Sequence, residues 1–361
     1  MSSNNSSSIG TGLTSDDPAF WSQPTPIDCT TVRIIGILLC VATLVGIFLN
    51  GALLISFIRH KELRTPPNIF IMFISFIGLI ASSVNLPLTG SSSVFCHWLY
   101  SRQGCQLEGL TAFLYGCSSC YLLCTVSISR CYIIIRPFNA KSVTVKKSVV
   151  TCCIAILIAL LWTILPLVGW NEYTLERSRT SCCTNLYDRR RLFVSFNIFI
   201  FVVVYCVPLI ILLITNSIIY RGIKGMRKKV AQGVKTELSQ KRIEMERRVL
   251  KTVVITVVGF LFTWTPYAIT FFISAFGAPE ANVSPMATFI CACFAKTSMI
   301  WIPTLYMSTS TQFRFSLVDK SSLEKLGGVS TTGGDGPNVA AITRGKADNL
   351  TATGINANKN D

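Results

Sequence analysis

The chain has 361 residues, of which 50% are hydrophobic and 14% charged, against about 25% charged in a soluble domain. With a mean hydropathy of +0.52, a soluble fold would have to hide nearly every apolar side chain, so a soluble enzyme is excluded. The net charge of +16 would suit nucleic acid, but the basic residues sit in short stretches between long apolar runs, which argues against nucleic acid and for a multi-pass membrane protein.

Residues 1–33 are expected to form an extracellular tail. Residues 1–32 carry no Lys or Arg, and Asn4 and Asn5 begin glycosylation sequons. No apolar core precedes the first span, which is therefore expected to direct insertion without a cleaved leader. Seven apolar runs follow, over 34–58, 68–89, 105–135, 149–168, 192–220, 250–276 and 286–307, each long enough to cross about 30 Å of hydrocarbon. This is an all-α, integral-membrane bundle of seven transmembrane helices within 34–308. Interior prolines, Pro87, Pro166, Pro208, Pro266 and Pro303, are tolerated in such a bundle because neighbouring helices serve the freed backbone groups. Arg and Lys concentrate at 59–64, 136–147 and 221–249, placing the N-terminus outside and the C-terminus in the cytosol. The segment 171–191 resists this rule: it carries five arginines on the outer side. Residues 309–319 suggest a short amphipathic helix. Residues 320–361, rich in Gly, Ser, Thr and Asn, suggest a disordered cytoplasmic tail.

Most of the fifteen cysteines lie inside apolar runs, where a thiol packs as a small soft residue. Cys117, Cys120 and Cys124 share a helical face, but neither histidine belongs to that run, and no metal site is expected.

Lys296 is the residue that composition does not explain. It lies mid-way along the seventh run, where a lysine costs ~2.5–3.5 kcal/mol. Burial lowers an amine's pKa, which is what a lysine needs to attack an aldehyde. A structural ion pair or a water-filled cavity would explain it equally well. Glu108, near the outer end of the third run, and Glu176, in the outer loop, are the nearest candidate anions.

The residues around this lysine resemble a known family. Phe294-Ala295-Lys296-Thr297-Ser298, then Pro303, Tyr306 and Gln312-Phe313-Arg314, is similar to the seventh helix of animal opsins. So are Asn50, Leu63-Arg64-Thr65-Pro66, Cys105-Gln106-Leu107-Glu108-Gly109, Gly169-Trp170 and Trp264-Thr265-Pro266-Tyr267-Ala268, in this order. The resemblance covers about 34–315 and implies a rhodopsin-like, class A G-protein-coupled receptor rather than an enzyme.

It further implies that Lys296 binds retinal, 11-cis in the dark, through a protonated Schiff base. Glu108 falls at one counterion position of the family and Glu176 at another, with Glu108 favoured. Cys105 implies a disulfide to Cys182, with adjacent Cys183 as the less favoured partner. The implied pocket adds Phe113, Gly116, Cys117, Phe201, Tyr205, Phe260, Trp264, Tyr267 and Ala292. On the cytoplasmic side Arg130, Glu246 and Tyr306 fall at signalling positions. The expected partners are a heterotrimeric G protein, arrestin, a receptor kinase and membrane lipid.

Three departures fall on that signalling side. The acidic-Arg-Tyr triplet reads Ser129-Arg130-Cys131, the helix-two aspartate is Gly78, and the Asn before Pro303 is Ile302. Losing one partner of a buried polar pair strands the other, whereas losing both does not, so the last two read as one consistent change. These departures keep open a retinal photoisomerase with weak or no G-protein coupling. A receptor for a diffusible ligand, with Lys296 as an anion contact, is a third class.

Overall fold

The computed structural model describes residues 13, 15–231, 237–277, 283–310 and 313. They belong to one compact unit, Met1–Ser316; the remainder, Leu317–Asp361, lies outside the described residues. So do the sequons at Asn4 and Asn5, the expected tail over 320–361, and nearly all of 309–319.

Among the described residues, seven helices are long and apolar enough to span a membrane. They are α1 (Cys29–Arg59), α2 (Pro66–Val94), α3 (Ser101–Ile135), α4 (Val145–Ile164), α5 (Arg191–Ile200, Phe201–Cys206 and Val207–Ala231), α6 (Glu237–Phe276) and α7 (Pro285–Lys296 and Ser298–Thr309). Apolar side chains face outward along them, Phe48 at 71% and Phe262 at 69% exposure, as hydrocarbon solvent permits. α3 is the hub, packing on α2, α4, α5 and α6 and beneath two short antiparallel strands, β1 (Tyr173–Leu175) and β2 (Cys182–Thr184). The face bearing these strands is called outer, after the charge pattern.

Several helices outrun the apolar pattern. α1 starts at Cys29 because Asp28 caps it, its carboxylate accepting from the Thr31 N–H at 2.9 Å. α5 continues to Ala231 and α6 begins at Glu237, so the basic stretch from Arg221 to Lys251 extends both rods past the apolar spans.

Proline positions are served from neighbouring helices. Pro303 has no N–H to give Met299, and the Asn50 amide of α1 donates to that carbonyl at 2.9 Å. In α5 the turn Phe201–Cys206 is π-helical. In that register the donor for Val203 would be Pro208, which has none; the Tyr121 hydroxyl of α3 donates instead at 3.3 Å. Pro166 departs from expectation: it sits in a 3-10 turn, Leu165–Leu167, that closes α4, where a missing N–H breaks no interior bond.

On the outer face, a one-turn helix at Pro18–Trp21 buries Phe20 and Trp21 against Trp98, Cys105, Leu175 and Cys182. Disulfide Cys105–Cys182 pins β2 to α3, and Cys183 is free. A second disulfide, Cys29–Cys96, ties the start of α1 to the end of α2. Sequence reasoning missed it, because neither cysteine belongs to a motif.

Candidate functional site

α7 breaks at Thr297, immediately after Lys296, which is the last residue of its outer half. The side chain points inward and is 7% exposed, while Glu108 on α3 is 0% exposed. Their ion pair measures 2.6 Å from Nζ to Oε1. Lys296 also donates to Thr89 Oγ1 at 2.9 Å, and Thr89 in turn donates to Glu108 Oε1 at 2.9 Å. Asn85 donates to the same Oε1 at 2.6 Å. The backbone N–H of Cys182 takes Oε2 at 2.9 Å, so the disulfide-pinned strand β2 also positions the acid. A buried charge pair is tolerated only with such additional bonds.

Asn85 and Thr89 were not singled out in the sequence. Their signal was there: two polar residues four apart, on one face of an otherwise apolar helix.

Glu176 follows β1 directly and is 2% exposed. It accepts from the hydroxyls of Ser181 and, at 3.3 Å, of Tyr267. Burial pushes its carboxyl above the ordinary range, with Lys296 opposing and Glu108 adding to the rise. One amine is thus enclosed with two carboxyls, which differ in their bonding.

The amine sits in a cavity of about 1100 Å³, its open side included. Phe113, Gly116, Cys117, Phe201, Tyr205, Phe260, Trp264, Tyr267 and Ala292 all line it, together with Glu176 and Lys296. These expected pocket positions therefore line one cavity, which Cys183 of β2 joins, while Glu108 is not among the lining residues and meets the site through Lys296. Phe260 stacks on Trp264 with centroids 5.6 Å apart, and Trp264 meets Tyr267 edge-on at 6.2 Å. Trp264 Nε1 donates to Ser298 Oγ at 3.0 Å, just beyond the break in α7. Gly116 is required here, since a Cβ would lie 2.5 Å from the Trp264 ring.

At the opposite end, Arg130 lies in the last turns of α3 and Tyr306 is buried beside Phe57. Glu246 lies in α6, with its side chain outside the described residues. Gly78 and Ile302 are both buried. A Cβ at Gly78 would meet Asn50 Oδ1 at 2.7 Å, Ile302 is 1% exposed in the core, and both Asn50 amide hydrogens are used, on Gly46 O and Met299 O.

A seven-helix bundle enclosing a cation, two acids and an aromatic cavity matches a known class. Residues 49–306 match the 7 transmembrane receptor (rhodopsin family), and the chain belongs to that family. Its relatives within the family are opsins. It is 30% identical to Melanopsin of Branchiostoma belcheri over 74% of this chain and 39% of the relative. It is 28% identical to "Rhodopsin, GQ-coupled" of Mizuhopecten yessoensis over 83% of this chain and 62% of that one. The chain thus spans less than two thirds of either relative's length. Squid rhodopsin has the same fold, with a TM-score of 0.76 at 24% identity, over 94% of this chain and 99% of that one.

Proposed function

We propose that this chain is a light-sensing G-protein-coupled receptor that holds retinal covalently at Lys296. The observation that carries the reading is the buried amine of Lys296, paired with Glu108 on the wall of an apolar, aromatic cavity. An aldehyde-bearing polyene fits such a site: it needs an amine in an apolar pocket, an anion beside it, and flat walls along its length. Retinal, bound as a protonated Schiff base, would supply visible absorption and light-driven isomerisation.

The residues of the chain do the rest. Lys296 is the point of attachment. Glu108 holds the positive charge there, and Asn85, Thr89 and the Cys182 N–H hold Glu108. Glu176 is the second acid of the pocket, and the strands β1 and β2 exclude water from above. Trp264 touches both the cavity and Ser298, so it joins the pocket wall to the inner half of α7. A ligand that favours one packing of these elements shifts the bundle between two states. The long basic ends of α5 and α6 offer a cytoplasmic surface for a heterotrimeric G protein, and the Gq-coupled name of one relative supports that partner. Arg130, Glu246 and Tyr306 are the proposed signalling residues, with arrestin and a receptor kinase as shut-off partners. Asn4 and Asn5 are the proposed glycosylation sites of an outward-facing N-terminus.

The test is the absorption spectrum of purified protein reconstituted with 11-cis-retinal. We expect a visible band that is absent in Lys296→Ala and moves to the ultraviolet near neutral pH in Glu108→Gln. An unmoved band in Glu108→Gln would transfer the counterion role to Glu176. Well-folded protein with no band would overturn the reading. A retinal photoisomerase is the second reading, favoured by Ser129, Cys131, Gly78 and Ile302. A light-dependent nucleotide-exchange assay separates the two, since the photoisomerase changes its spectrum in light without activating a G protein.

A further inference from the structure

Four of the five outer-loop arginines that defy the charge rule are bonded within the fold. Arg189 donates to Ser274 O and Gly277 O, each at 3.3 Å, and to Ala275 O. Ser274 and Ala275 belong to the last turn of α6, and Gly277 directly follows it. Carbonyls at a helix C-terminus lack intrahelical donors, and a cation there is favoured by the helix dipole. Arg177, adjacent to Glu176, donates to Val283 O at 3.0 Å, just before α7, and its guanidinium lies 4.8 Å from the Tyr187 ring centroid. Arg179 reaches Pro24 O at 3.0 Å in the N-terminal segment.

The disulfide Cys105–Cys182 fastens the β1–β2 hairpin to α3 only. Toward α6 and α7 the loop is held by Arg177, by Arg189 and by the Tyr267 to Glu176 bond. Lys296 and the free thiol of Cys183, in β2 itself, both lie on the cavity wall.

We propose that Arg177 and Arg189 latch the β1–β2 lid to the outer ends of α6 and α7, and that this latch sets how fast water and small solutes reach Lys296 and Cys183. The planar, forked guanidinium suits a latch, since one head group can bridge several carbonyls in a way that a lysine cannot reproduce. The inference rests on the proposed function only in taking Lys296 as the group to be kept dry, so its first test needs no retinal.

The experiment is maleimide labelling of the retinal-free protein, followed at individual cysteines by peptide mass mapping. Arg177→Gln/Arg189→Gln is compared with wild type and with Arg102→Gln, which breaks only the exposed pair with Asp16. Cys183 should label at least fivefold faster in the double variant and unchanged in Arg102→Gln. Exposed Cys153 should label alike in all three, and buried Cys131 and Cys152, which do not line the cavity, should stay protected. Labelling of Cys183 at the wild-type rate in a folded double variant overturns the latch. If Cys131 and Cys152 become reactive, the double variant has lost its fold, and Arg189→Lys decides: faster Cys183 labelling upholds the latch and an unchanged rate overturns it. In retinal-loaded protein the same substitutions should speed dark bleaching by hydroxylamine. A wild type that forms no pigment would sink the proposed function while leaving the thiol result standing.

Discussion

Gly116 and Gly78 each stand where a methyl group has no room, against Trp264 and Asn50 respectively. Gly116→Ala forces the Trp264 ring to move, and overpacking of this kind costs about 1–3 kcal/mol. We expect a lower Tm and a shifted absorption band in that variant; an unchanged band would mean that Trp264 does not touch the chromophore. Glu176 makes a prediction of its own. Its folded pKa is raised, so the protonated acid is the form the fold favours. That contribution is complete below the ordinary carboxylate range and is lost as pH rises through the elevated value. The infrared carbonyl band of a protonated acid should therefore persist above the ordinary carboxylate range, fade on further alkalinisation, and be missing above that range in Glu176→Gln. Its survival in Glu176→Gln would assign the band to another acid.

Among the elements, α7 is the one whose proline is repaired from farthest away. If Asn50 serves Met299 because Pro303 cannot, then Asn50→Leu leaves a buried carbonyl unpaired at about 1–3 kcal/mol. In a Pro303→Ala background the new N–H takes that carbonyl, so the same substitution should cost less. A thermal-unfolding double-mutant cycle should give a coupling of about 0.5–3 kcal/mol, and additive losses would refute the repair. The existence of all seven helices was legible from apolar run length alone. Their ends were not, because Asp28 and the basic extensions beyond α5 and α6 act through caps and helix continuation rather than hydropathy. The pocket was legible through Lys296 and the motifs around it. Asn85 and Thr89 were harder to see, since a short polar side chain in an apolar helix gives no hint of which neighbour it will meet. The Cys29–Cys96 bridge could not be read at all, because pairing depends on where two helix ends converge.

For the whole molecule, the charge pattern and the structure answer each other. The positive-inside rule weighs Lys and Arg in short loops near the ends of spans; in 171–191, Arg177, Arg179 and Arg189 bind backbone carbonyls, and Arg190 pairs with Asp188 at 2.5 Å. The second bridge gives a stability prediction at this scale. Cys29→Ser/Cys96→Ser releases the start of α1 from the end of α2 and should lower Tm by several degrees while leaving the absorption maximum in place, because neither residue lines the cavity. A displaced band would mean that this tie shapes the pocket.

The two polar joints of α7 have a consequence for how the protein is made. Asn50 meets Met299 across 249 residues, and Glu108 meets Lys296 across 188. Chains emerge from the ribosome N-terminus first, so α1 and α3 are synthesised before the α7 partners of their buried polar groups. Until the final span arrives, Glu108 has no cation and Asn50 no distant carbonyl to hold. A nascent chain stopped before Pro285 is therefore a bundle whose Glu108 still lacks its cation, and α7 is the keystone that closes it.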